Sequence, residues 1–333
     1  MTPASSPLVL SLGDPCGIGP ELTVKAWRAL KDDTGLAFCV IGDARTLRDL
    51  EAPVVVVDDV DQTADVFEEA IPVLDRPLDV HAVAGHPDAV HARHIIGWIR
   101  TGVELCRSGQ ARGLVTAPIA KSVLYGAGFK FPGHTEYLAE LCREGDGPAP
   151  TPVMMLTARD LRVVLATIHL PLKDVPPALS VAGVAEIARI TQAALKRDFA
   201  VAEPRIAMAG LNPHAGEDGT IGREEIEMLI PAAELLRAEG IDIRGPLPAD
   251  SMFHDDARAG YDAALCMYHD QGLVPLKTLD FWSGVNITLG LPIVRTSPDH
   301  GTGFAIAGSG VARADSLIAA IRTADTISRN RAL

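Results

Sequence analysis

Aromatic side chains are scarce in this sequence. Phe, Trp and Tyr make up 5% of its 333 residues, so a core has to be built mainly from Ala, Val, Leu and Ile. Cysteine is thin as well. Cys16, Cys39, Cys106, Cys142 and Cys266 are odd in number and far apart, which argues against a disulfide scaffold or a zinc finger and suits a reducing cytoplasm. Cys16, in a glycine-rich turn, reads as a small buried filler rather than a nucleophile. No run of 18 apolar residues exists to cross a membrane. The opening Met1–Leu12 lacks the basic start and long apolar stretch of a secretion signal, so the expected location is cytoplasmic. Basic charge is in deficit, with 30 Lys and Arg against 43 Asp and Glu, a net −13. Such a surface repels a polyanion, so nucleic acid is excluded as an expected partner. A locally positive pocket for a small phosphorylated ligand remains compatible with that balance. The chain also lacks a Gly-Lys-Ser/Thr phosphate loop, and Gly13, Gly17 and Gly19 do not have the ordinary dinucleotide spacing.

What is present is globular: 47% hydrophobic and 22% charged residues, in a chain long enough for two domains. Leu8-Val-Leu-Ser-Leu12 is a short apolar run suited to a buried parallel strand, and Pro20 and Glu21 open a helix after the glycine-rich turn. Strand patterns follow at 37–41, 54–57 and 113–116, with helical patterns at 44–50 and 91–108. Residues 152–157 and 163–166 are strand-like and close enough to pair antiparallel. Segments 180–199, 223–239 and 316–326 read as helices, and 205–209 and 263–267 as strands. This alternation predicts an α/β fold with a mainly parallel sheet. No internal repeat or low-complexity linker interrupts it.

Polar clusters fall just after the strands: Asp14, Thr116, His169, Asn212 to His214, and His269-Asp270. In open α/β sheets ligands bind beyond the carboxyl ends of the strands, so these loops point to one shared cleft. His169, His214 and His269 each follow an apolar strand. Three imidazoles can hold a divalent metal and leave a position open; spacing alone also allows three separately hydrogen-bonded loop histidines. His81, His86, His91 and His94 read as surface or helix-face residues. His134 and Thr135 suit a phosphate oxygen or a hydroxyl, or simply cap a helix. Lys277, Asn286 and Arg295 form a spaced polar series suited to an anion, Arg295 by its fork of donors.

Taken together the loops resemble the 4-hydroxythreonine-4-phosphate dehydrogenase family of vitamin B6 synthesis. The matching stretches are GDPCGIGPE from Gly13, TAPIAK from Thr116, FPGHTEYLAE from Phe131, NPHAGEDGTIGREE from Asn212, GPLPADSMF from Gly245, YHDQGLVPLK from Tyr268 and NITLGLPIVRTSPDHGTGFAIAG from Asn286. They run through most of the chain in fixed order. The resemblance implies an isocitrate/isopropylmalate dehydrogenase-like fold, with two α/β domains flanking a central cleft. One would be discontinuous, 1–130 plus 301–333; the other, 131–300, would carry most metal and substrate ligands.

The same resemblance implies the chemistry. The expected reaction is oxidation of 4-phosphooxy-L-threonine at its C3 hydroxyl by NAD or NADP, followed by decarboxylation to 3-amino-2-oxopropyl phosphate. His169, His214 and His269 would bind one divalent metal per site (Zn, Mg or Co). His134, Thr135, Lys277, Asn286 and Arg295 would bind substrate, and Asp299, His300, Gly301 and Thr302 would form part of the cofactor loop. Lys277 is expected to transfer protons, supported by Asp250 or Asp270, or to serve by charge alone. The implied partner is a second subunit in a homodimer with shared sites, His169 and His214 of one chain facing His269 of the other. Two positions depart from the family pattern: Ala305 replaces a usual acidic residue and Gly303 a usual Ala. The alternatives are a dehydrogenase for 4-phospho-D-threonate or 4-phospho-D-erythronate, a metal-dependent phosphatase, or an anion-binding protein without catalysis.

Overall fold

The computed structural model describes residues 6–125, 128–131 and 133–332; Pro132, in the stretch that starts at Phe131, lies outside them. The chain divides into two compact units, Met1–Pro152 with Leu291–Leu333, and Val153–Gly290. No single helix among the described residues is long and apolar enough to cross a membrane.

In the first unit β1 (Leu8–Ser11) is buried at every position, as a continuous apolar run requires. It is joined by β2 (Phe38–Gly42), β3 (Val54–Val56), β4 (Ile71–Asp75), β5 (Gly113–Thr116) and, from the far end of the chain, β12 (Arg295–Pro298). Their order is β3-β4-β2-β1-β5-β12, and the pairings are parallel. The order switches direction at β1, the place where such sheets bind ligands. The two buried tryptophans in its helices, Trp27 and Trp98, donate their indole N–H to the carbonyls of Phe67 and Arg76, at 2.7 and 3.1 Å. Aliphatic side chains supply most of the remaining core.

The boundaries differ from those expected at 130 and 301. The His134–Leu141 helix packs on the Ala92–Arg107 helix, with the Tyr137 hydroxyl donating to Ile96 O at 3.4 Å. Arg295 opens β12, which pairs with β5. Those contacts place His134, Thr135 and Arg295 in the first unit, while His169, His214, His269, Lys277 and Asn286 belong to the second.

The second unit contains β6 (Val153–Ala158), β7 (Leu161–Leu165), β8 (Arg205–Ala209), β9 (Asp242–Leu247), β10 (Ala263–Cys266) and β11 (Val285–Leu289), in the order β11-β6-β7-β10-β8-β9. The hairpin β6–β7 is antiparallel, as is β6–β11. From β7 through β10 and β8 to β9 the strands are parallel. Leu156, Val163, Leu165, Ala264, Cys266 and Leu276 form the heart of its core. Because β7, β10 and β8 are parallel neighbours, and each ends a few residues before one of the three histidines, the histidine loops leave the sheet side by side.

Candidate active site

Arg295 lies in register with Leu114, so Thr116 sits two residues further along the neighbouring strand. The arginine side chain runs along the sheet to reach it: Nη2 donates to Thr116 Oγ1 at 2.8 Å. The same nitrogen lies 3.3 Å from His134 Nδ1, in the first turn of the His134–Leu141 helix. Burial pulls the Arg295 pKa down to about 10, which still leaves the guanidinium charged at neutral pH. Burial first, and the Arg295 charge second, hold the His134 pKa well below its ordinary 6.5, so the imidazole is neutral. A cation at Nδ1 makes that nitrogen the acceptor and leaves the proton on Nε2. Nε2 is buried and has no hydrogen-bond partner among the described residues. The first unit therefore presents a buried guanidinium and an unused N–H donor at a helix N-terminus, with buried Thr135 alongside. That combination is built for an oxyanion.

In the second unit the zipper between β7 and β10 continues past both strands, with Thr167 Oγ1 donating to Met267 O at 2.7 Å. It brings together two loops distant in sequence, and the rings of His169 and His269 stand 5.9 Å apart, centre to centre. Both line a cavity of about 310 Å³ with Leu170, Leu172, Tyr268 and Asp270. His269 begins the His269–Leu279 helix, and its Nδ1 is 2.7 Å from Asp270 Oδ1. A carboxylate on Nδ1 fixes the ring and turns the Nε2 lone pair outward, the usual support for a metal-binding imidazole. Gln271 locks the base of this turn. Its Oε1 accepts from Met267 N at 2.7 Å, and its Nε2 donates to Gly210 O at 2.6 Å, beyond the end of β8.

His214 follows β8 in a run of five residues, His214 to Asp218, all with left-handed backbone. Each non-glycine residue held there costs about 1 kcal/mol. The run is anchored by buried Glu225, whose Oε1 accepts from Leu211 N and Asn212 N at 2.8 and 2.7 Å, while Oε2 accepts from Asn212 Nδ2 at 2.9 Å. His169 stands beside His269 of its own chain because β7 borders β10 directly. Among the described residues no three His, Cys, Asp or Glu side chains converge on one metal position. The donor chemistry nevertheless fits a divalent cation: two facing imidazoles, one oriented by a carboxylate, and a third at the next strand end.

Lys277 is half-buried two turns along the His269 helix, with Nζ 5.3 Å from the Phe281 ring centre. Asn286, on β11, buries an Oδ1 that no described residue satisfies. Asp250 is exposed on the Ala249–Ser251 turn after β9, while Asp270 serves His269.

The glycine-rich loops of the first unit meet one another. Ile18 N donates to Thr302 O at 2.8 Å, and a Cβ on Gly17 would stand 2.7 Å from that oxygen. Gly303 adopts a left-handed backbone, φ 55°, against Ile18, a conformation that favours glycine. Asp299 N donates to Ser316 Oγ at 3.0 Å; His300 and Gly301 are exposed. Glu21 ties the first helix to the segment beyond this loop, accepting from Ala312 N at 3.1 Å and Lys25 Nζ at 2.7 Å. Cys16 is buried, and burial pushes its thiol pKa up, in keeping with a filler. His91, expected on the surface or a helix face, is buried at the start of the Ala92–Arg107 helix.

The family model described as pyridoxal phosphate biosynthetic protein PdxA matches residues 36–324. The chain belongs to this family. It is 57% identical over 330 residues to 4-hydroxythreonine-4-phosphate dehydrogenase of Caulobacter vibrioides, covering 98% of this chain and 99% of the relative. The Maricaulis maris enzyme of the same name is 53% identical, with 98% and 99% covered. The crystal structure of 4-hydroxythreonine-4-phosphate dehydrogenase from Klebsiella pneumoniae superimposes with a TM-score of 0.84 at 36% identity, covering 97% of this chain and 98% of that one. The α/β fold expected from sequence is thus the PdxA fold. Pattern alone points to Arg295 and His134 but not to Thr116 as their partner, to Glu225 as the anchor of His214, or to Gln271; the only signal for these is their place inside the family's motifs.

Proposed function

We propose that the protein oxidises 4-phosphooxy-L-threonine at the C3 hydroxyl with NAD or NADP, and that the 3-oxo acid loses CO2 to give 3-amino-2-oxopropyl phosphate. Alongside the family membership, the observation that carries this reading is the buried Arg295–His134 pair, a cationic and donor-rich pocket in a chain of net charge −13. Arg295, His134 and Thr135 hold the terminal phosphate, and Lys277 and Asn286 hold the remaining polar groups of the substrate. His169, His214 and His269 would hold one divalent cation, Zn, Mg or Co. When bound, the cation supplies polarisation of the C3 hydroxyl and of the oxo group that replaces it, and the nicotinamide accepts the hydride. Lys277 Nζ takes the hydroxyl proton and returns one to the carbon that loses CO2. Asp270 keeps His269 in the tautomer that leaves Nε2 unprotonated, and Asp250 is assigned to the same proton traffic. The Asp299–Thr302 loop, seated on the β1 turn, is assigned to the cofactor.

The working unit is a homodimer with shared metal sites. His169 and His214 of one chain would meet His269 of the partner subunit, which completes the set of three. Exposed Leu170, Leu172, Val274, Phe281 and Trp282 supply apolar surface for such a contact.

The test is nicotinamide reduction with a small panel: 4-phosphooxy-L-threonine, its unphosphorylated counterpart, 4-phospho-D-threonate and 4-phospho-D-erythronate. The amino substrate should be preferred, and removing its phosphate should lower kcat/KM at least a hundredfold. Equal rates with and without phosphate would remove the pocket's assignment. Preference for a hydroxy acid would move the substrate to the threonate or erythronate class.

A further inference from the structure

We propose that Thr116 is a substrate-positioning residue that sets the direction of the Arg295 fork; this rests on the reading of Arg295 and His134 as the phosphate pocket. Thr116 is the last residue of β5 and 1% exposed, and Arg295 is 3% exposed. An arginine Nη carries two hydrogens. On Nη2 one goes to Thr116 Oγ1 at 2.8 Å and the other faces His134 Nδ1 at 3.3 Å. Two neutral acceptors on opposite elements, a strand end and a helix start, thus hold one nitrogen and prevent the guanidinium from swinging about its long stem. The rest of the fork is thereby given a fixed direction. That choice matters chemically. An Asp or Glu at position 116 would hold the arginine more strongly but compete with the ligand for its charge, whereas a hydroxyl orients it and leaves the charge for the anion.

Thr116 has a second capacity. Its hydroxyl accepts from Arg295, and its own hydrogen has no acceptor among the described residues. The same oxygen can therefore donate to an oxyanion held by the arginine, adding a neutral donor to the charged one. In the sequence Thr116 is only a polar residue after a strand; the Arg295 contact gives it a role.

The experiment compares Thr116→Val, which keeps shape and removes the hydroxyl, with Thr116→Ser, which keeps the hydroxyl, in the full-length protein. The readouts are KM and kcat for the phosphorylated substrate and the inhibition constant for inorganic phosphate. Loss of one hydrogen bond to a charged group predicts about a tenfold rise in KM and in the phosphate constant for Thr116→Val, with kcat within about twofold. Thr116→Ser should stay near the parent. Unchanged KM in Thr116→Val, or Thr116→Ser as impaired as Thr116→Val, overturns the inference, as does a kcat that falls in step with KM. If Thr116→Val does not fold, Thr116→Ala against Thr116→Ser is read by the same criteria. Arg295→Ala separates the role of Thr116 from the pocket assignment beneath it. If it abolishes phosphate inhibition while Thr116→Val leaves it intact, only the role of Thr116 fails. If it too leaves phosphate inhibition unchanged, the pocket itself is misassigned.

Discussion

Asp14 stands at the turn between β1 and the first helix with its carboxyl group buried. One oxygen accepts from Cys16 N at 3.0 Å; the other is buried and has no hydrogen-bond partner among the described residues. Burial outweighs the Cys16 hydrogen bond and raises the pKa from 3.8 to about 6. The folded chain therefore binds this proton more tightly than the unfolded chain does. The stabilising effect of the proton is complete below about pH 4 and is lost as pH rises through 6. By linkage the ionised group costs about 3 kcal/mol above that point. Asp14→Asn keeps the acceptor for Cys16 and removes the charge. Its melting temperature should exceed the parent's at pH 8, and the advantage should shrink to roughly a third at pH 4.5. An equal difference at both pH values would mean that ionisation of Asp14 has no part in it.

At the scale of elements, the His269–Leu279 helix depends on a close approach. A Cβ on Gly272 would stand 2.2 Å from Val163 Cγ1 and 3.0 Å from Leu165 Cδ2, both on β7. Ala would favour the helix by about 1 kcal/mol, yet the clash involves branched core side chains with little room to yield, and overpacking costs about 1–3 kcal/mol. Gly272→Ala should lower the melting temperature and loosen divalent-metal binding, because His269 and Asp270 begin the displaced helix. Val163→Ala in the same chain should recover part of both. A Gly272→Ala protein as stable as the parent would show that the helix has slack. This helix is also illegible in the sequence. Gly272 and Pro275 interrupt the helical signal, and only packing against β7 and β10 sustains it. The strand β12 is hidden for the opposite reason: Arg-Thr-Ser-Pro is polar by composition and buried at every position. The apolar strands β1, β2, β5 and β10 are legible, since burial on both faces leaves a continuous hydrophobic run. For the site, residue types and their place after strands point to His169, His214, His269 and Arg295. Which histidines pair depends on strand order, and no spacing in the sequence records that β10 lies between β7 and β8.

For the whole molecule the decisive question is how the histidines are divided between subunits. If His169 and His214 of one chain meet His269 of the partner subunit, then mixing inactive His169→Ala and His269→Ala proteins under exchange conditions creates one intact site per mixed dimer. The pair His214→Ala and His269→Ala should behave alike, while His169→Ala with His214→Ala should stay inactive. Recovery in the His169→Ala and His214→Ala pair would instead support a division in which those two ligands come from different subunits. Recovery in none, with exchange demonstrated, would place all three ligands in a single chain. Metal affinity should fall on dilution of the dimer for the same reason, since a lone chain offers an incomplete set.

The way the first unit is assembled from both ends of the chain has a consequence for its birth on the ribosome. The second unit is contiguous, and all its strands have been made by residue 290. The first unit has by then been waiting since residue 152 for β12, for the Asp315–Ala332 helix that packs on β1, β5 and β12, and for Ala312, the partner of Glu21. Domains usually mature in the order of their synthesis. Here the middle of the polypeptide can close first, and the half that emerged earliest is completed last.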